Sequence, residues 1–144
     1  PICDVSYFNS SLFDVPGGFD VFNGSFLGWC VDEAHLIQIN KFYDVRLFSS
    51  YDPDLGLKCP YCVDEDWDLV NYIINHKRGS YEDVQSAIWY FVDGGVYPSD
   101  PDAVLMVEEA LMYGEGFWPQ EGQFMAIIVD PGTRHQLTII EVDP

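Results

Sequence analysis

Basic residues are scarce in this chain. Six lysines and arginines face 24 aspartates and glutamates across 144 residues, for a formal net charge of −18. So few cations cannot neutralise a run of phosphates, which excludes nucleic-acid binding. The same charge repels anionic membrane surfaces. No apolar run reaches the length that spans a bilayer, so membrane insertion is not expected. Repeats, low-complexity tracts and interdomain linkers are also missing, and residues 1–144 read as a single domain with one core. No Ser-His-Asp spacing, phosphate loop or metalloprotease signature is present, and the expectation is a protein that is not an enzyme.

Cysteine is sparse too. Four in a short chain are not a dense disulfide framework, yet they suit an oxidising compartment. The chain begins Pro-Ile-Cys, without Met or a visible signal peptide, and so reads as a processed product. Two sequons, starting at Asn9 and Asn23, permit N-glycosylation outside the cell, although Asn23 also suits a turn. These features together point to an extracellular, cell-surface location.

Apolar residues are plentiful: 48% hydrophobic and 16% aromatic, enough for a packed interior. Residues 2–8 favour a strand. Residues 19–22 and 26–31 are expected to pair across Asn23-Gly24, a strong hairpin-turn dipeptide. Residues 41–48 alternate like a half-exposed strand, and 49–60 read as a loop. Three helices follow. Residues 64–75 carry Trp67, Val70, Ile73 and Ile74 at helical spacing. Ser80 caps a second helix that ends near Asp93-Gly94-Gly95. Asp100-Pro101 opens a third, which closes at Gly114. Residues 124–129 are almost all apolar, as in a central strand buried on both faces, and 136–142 form the last strand. Strands, three helices, then strands give an α+β class: an antiparallel sheet or small barrel with a three-helix insertion.

Three stretches carry the candidate chemistry. Cys30 stands between Trp29 and Val31 after the Asn-Gly turn. Gln85 and Trp89 sit four apart on one face of the second helix, in Gln85-Ser86-Ala87-Ile88-Trp89. Gln136 opens the last strand, sharing a face with Thr138 and Ile140. Taken alone, Cys30 also fits a small buried hydrophobe or half of a disulfide, and Gln85 fits a polar helix surface.

In this order the three stretches resemble the thioester domains of bacterial and archaeal surface proteins. That family carries a hydrophobic-Cys-hydrophobic motif, then Thr-Gln-x-Ala-hydrophobic-Trp, then a Gln on a late strand. Val84 stands where the middle motif has Thr. The resemblance implies an internal thioester between Cys30 and Gln136, formed with loss of ammonia. It implies that Gln85 orients the reactive carbonyl, while Trp29, Trp89 and Phe26 exclude water. The implied role is attachment or assembly at a cell surface, through an amine-bearing surface protein or through copies of the chain itself. The alternative is a structural subunit of an extracellular fibre, sheath or surface layer with no reactive thioester.

Other groups offer competing chemistry. Cys59-Pro60-Tyr61-Cys62 matches a glutaredoxin-type tetrapeptide, but no β-α-β unit surrounds it, and a local Cys59–Cys62 disulfide fits better. Zinc would need further ligands, with His76 and Cys3 as distant candidates. Cys3 could equally bond one of that pair or another chain. His35 and His135 have no partner that the sequence names. No cofactor is expected. Ca²⁺ is the one cation the acids would suit, at Asp52/Asp54 or at Asp64/Glu65/Asp66/Asp68, although neither cluster fits the twelve-residue calcium loop.

Overall fold

The computed structural model describes residues 7–17, 21–32, 37–38, 40–62, 66–92 and 95–143. Cys3, His35, Asp64 and Glu65 lie outside them. The described strands are β1 (Phe8–Leu12), β2 (Gly24–Cys30), β3 (Arg46–Ser49), β4 (Met125–Asp130) and β5 (Thr138–Val142). The helices are the single turn α1 (Leu55–Lys58), α2 (Trp67–Asn75), α3 (Tyr81–Phe91) and α4 (Pro101–Tyr113). A 3₁₀ turn spans Pro60–Cys62.

The class is α+β as the sequence implies, and the sheet is open rather than a barrel. Its order is β1-β2-β5-β4-β3, with every described pairing antiparallel. Both late strands are covered on both faces. β5 holds the middle position expected of 124–129, with β4 beside it. Of the expected 19–22/26–31 hairpin, residues 19 and 20 lie outside the described residues, and Val21 and Phe22 are in no strand. β2 pairs instead with β1, Leu12 opposite Gly24 and Phe8 opposite Gly28. Asn23 does not terminate a tight turn. Its Oδ1 accepts a hydrogen bond from the Val15 N–H at 3.0 Å, and Val21 is buried in the small core beneath the wide connection. Residues 41–45 stay irregular, so β3 begins only at Arg46.

One core lies on each face of the sheet. The larger joins Trp29, Val31, Ile128 and Ile139 to α2, α3 and α4. The smaller joins Leu12, Val21, Ile127, Val129, Ile140 and Val142 under the loops. α3 starts where local chemistry dictates. Gly79 takes φ +72, a conformation that glycine adopts without strain. Ser80 and Asp83 then form a reciprocal capping box. α4 opens on Pro101 at its first turn. No described helix is long and apolar enough to cross a membrane.

Two buried polar side chains tie the layers together. Asn71 donates to Ser50 Oγ and the Trp67 carbonyl, and accepts from the Ala126 N–H, all within 2.9 Å. Asp130 accepts from Tyr61 and Arg46 at 2.6 Å and from the Gly132 N–H at 2.9 Å. That contact fixes the loop of the Cys59–Cys62 disulfide against the sheet. Burial raises the Asp130 pKa, but the hydrogen bonds from Tyr61, Gly132 and Arg46 outweigh it and hold the carboxyl below its ordinary value. A depressed carboxylate contributes stability above its unfolded pKa and loses it as pH falls through the folded one. Asp130→Ala is therefore expected to cost about 2 kcal/mol at neutral pH and to flatten the acid limb of the stability curve. Urea titration between pH 7 and pH 3 checks both; an unchanged acid limb would remove Asp130 from the account.

Candidate functional site

Cys30 ends β2, and its surroundings follow from the register. Gly28, Trp29 and Cys30 lie opposite Ile140, Ile139 and Thr138 of β5. The pairing runs one residue further, because the Val31 N–H donates to the Leu137 carbonyl at 3.1 Å. The Cys30 N–H and carbonyl face the opposite way, beyond the end of β1. Gln85 fills the gap. Its Oε1 accepts from the Cys30 N–H at 2.9 Å, and its Nε2 donates to the Cys30 carbonyl at 2.8 Å. A side-chain carboxamide has the donor and acceptor of a peptide group, and here it pairs with one residue as a neighbouring strand would. Gln85 is buried at 1% exposure, which rules out the helix-surface role.

Cys30 is a free thiol, 2% exposed. Burial, reinforced by the nearby Asp32 charge, pushes its pKa up to about 12. Tyr7 is raised by its own burial and by Cys30, so the phenol lies within the field of the thiol. Tyr7 also packs on Tyr81 and Trp89, each with ring centroids 6.2 Å away.

Gln136 is buried just before β5, and its Nε2 donates to the Asp32 carbonyl at 2.6 Å. Continuing the register past Cys30–Thr138 and Val31–Leu137 sets Gln136 opposite Asp32, diagonal to Cys30. Diagonal neighbours on one face lie roughly 7–8 Å apart, within reach of long side chains. Sequence reasoning thus named three groups that the fold gathers: Cys30, Gln85 and Gln136.

The tryptophans divide. Trp29 points to the helical face, away from Cys30, and its Nε1 donates to Glu141 at 2.7 Å. Glu141, itself 3% exposed, is held by both short contacts from Lys77. Trp29 therefore anchors β2 from behind rather than walling the thiol. Trp89 is half-buried beside Tyr7, and its Nε1 has no hydrogen-bond partner among the described residues. Phe26 belongs to the small core on the other face.

The remaining candidates sit apart. Cys59 and Cys62 are disulfide-bonded and fully buried, so neither offers an accessible thiol. Asn9 and Asn23 are both exposed. Asp52 pairs with Lys58 and accepts from the Asp54 N–H, while Asp68 accepts from the Leu69 and Gly116 N–H groups. No group of three or more potential metal ligands occurs among the described residues. His76 stacks on Tyr72, and His135 packs edge-on against Tyr43. Asn71 and Glu141 were not singled out from the sequence; their partners are too distant along the chain to be read from it.

Gln85→Ala would strand the Cys30 N–H and carbonyl in the interior, at an expected cost of about 2–4 kcal/mol. Gln85→Glu keeps the acceptor but loses the donor, and should fall between. Thermal and urea unfolding measure the series; equal stability of all three proteins would show that the pairing with Cys30 is not formed.

No protein-family model matches the chain, and no curated protein does. Two solved structures do. One is the N-terminal thioester domain of a surface protein from Clostridium perfringens, in a cysteine-to-alanine mutant. It has 12% identity and a TM-score of 0.56, over 94% of this chain and 98% of that one. The other is an N-terminal thioester domain of a Clostridium perfringens surface protein without that change, at 13% identity and a TM-score of 0.52, over 93% and 98%. The chain therefore has the fold of thioester domains of surface proteins across nearly its whole described length.

Proposed function

We propose that this chain is a covalent attachment domain of a cell-surface protein, acting through an internal thioester between Cys30 and Gln136. The observation that carries the reading is the β2–β5 register, which makes these two residues diagonal neighbours on one face. In the reaction, Cys30 Sγ bonds to Gln136 Cδ and the Cδ–Nε2 bond breaks. The thiol proton leaves with the nitrogen as ammonia. An incoming primary amine then attacks the same carbon. It forms an amide, its proton passes to sulfur, and the thiol is regenerated. One link forms per chain, without turnover.

Burial protects the bond once it has formed. A thiol with its pKa near 12 is a poor thiolate leaving group, so the thioester resists water until the acceptor supplies a proton with its amine. Gln85 holds the Cys30 backbone still while that happens. The chain's own amines compete weakly. Lys58 is paired with Asp52 and Lys77 with Glu141, leaving Lys41 as the remaining lysine. A net charge of −18 steers in a basic, amine-bearing surface and opposes association of identical copies.

Intact-mass measurement tests this. The native protein is expected one ammonia lighter than its sequence, beyond the hydrogens lost to the disulfide. Methylamine should add at Gln136, leaving the protein one CH2 heavier than its sequence apart from the disulfide hydrogens, and Cys30→Ala should carry the full mass of its own sequence. Closing the loop between residues 30 and 136 should also add about 4 kcal/mol of stability over Cys30→Ala, by the chain-entropy relation. A wild-type protein at full mass, unreactive to methylamine, would refute the reading.

A further inference from the structure

The sheet face away from the long helices carries a cavity of about 550 Å³, between β1 and residues 37–38 and 40–43. Its floor includes Val129 and Thr138. Thr138 pairs with Cys30 on one side and Val129 on the other, so the three side chains stand in a row across β2, β5 and β4. The cavity therefore adjoins the cysteine. Gly28 shapes this wall: a Cβ there would lie 2.5 Å from the Phe8 ring, so only glycine lets that ring lie over β2.

The lining chemistry is distinctive for this chain. None of the described lining residues is a carboxylate, in a protein with 24 of them. Phe13 and Phe42 meet edge-on at 5.7 Å and are 63% and 86% exposed. Beside them, Ser10, Asn40 and Thr138 offer neutral groups that can both donate and accept. A sugar ring matches such a surface. Its C–H face packs on aromatic rings, and its hydroxyls pair with amides and hydroxyls. Among the described lining residues a cationic peptide would find no carboxylate, and the one charged group there is Lys41. An anionic sugar would be opposed by the charge of the whole chain. The volume lies within the range that holds a small ligand.

We propose that this cavity is a recognition site for a neutral oligosaccharide, so that a glycan-bearing surface is held beside Cys30 before any covalent step. The site stands on its own geometry and does not depend on the thioester.

The test is a titration followed by amide chemical shifts, on wild type and on Cys30→Ala. The probes are maltose, cellobiose, lactose and mannobiose, with sialyllactose and a lysine-rich peptide alongside. At least one neutral disaccharide should shift residues 8–13 and 40–43 saturably at millimolar concentration, equally in both proteins. Phe42→Ala removes an exposed ring, so melting should not change while affinity falls about tenfold. No saturable shift with any neutral disaccharide would overturn the proposal. So would a response at this face to the peptide alone or to sialyllactose alone. Because Cys30→Ala carries the same readout, a missing thioester leaves the result intact.

Discussion

The structure depends on one side chain standing in for a strand. Gln85, projecting from α3, gives the Cys30 backbone both hydrogen bonds that a neighbouring strand would provide. The arrangement needs α3 at a fixed height over the sheet, and the Ser80–Asp83 capping box sets where that helix begins. It needs β2 in a fixed register with β5, which Trp29 secures from the opposite face through Glu141. Removing Gln85 or Trp29 would leave buried polar groups unpaired, and such groups cost more than their hydrogen bonds contribute when made.

The same constraint makes a chemical environment. Pairing the strand end with a side chain brings a carboxamide against the backbone of the cysteine. Tyr7, Tyr81 and Trp89 pack together on the helical face behind it. The thiol is buried, and acyl chemistry there requires a carbonyl carbon held against it. Gln136 is the nearby carboxamide that the register supplies. The acidic surface acts at longer range, on what approaches rather than on what forms.

Much of this was legible in the sequence, and the reasons differ by element. The helices were readable because caps, Pro101 and apolar spacing act within a few residues. The alternation along residues 136–142 gave the correct face for Thr138 and the correct neighbourhood for Gln136. The β1–β2 pairing was not readable. Asn23-Gly24 is a local turn signal, and tertiary contact overrode it when Asn23 bonded to Val15 and Val21 entered the core. The true role of Trp29 was hidden for a related reason. Its partner Glu141 lies 112 residues away, and no local pattern announces a buried carboxylate whose charge is met by Lys77. Cys59 and Cys62 were readable as a pair, since a separation of three favours a local bond when no redox fold surrounds it.

The central claim is that the β2–β5 register, with the Cys30 backbone held by Gln85, joins Cys30 to Gln136. Peptide mapping addresses it most directly: digestion of freshly purified protein at acidic pH, followed by tandem mass spectrometry. The account predicts one pair of peptides linked through Cys30 and Gln136, and loss of that link in protein carrying Gln85→Ala. Unlinked peptides with an intact Gln136 carboxamide in the wild type would contradict it.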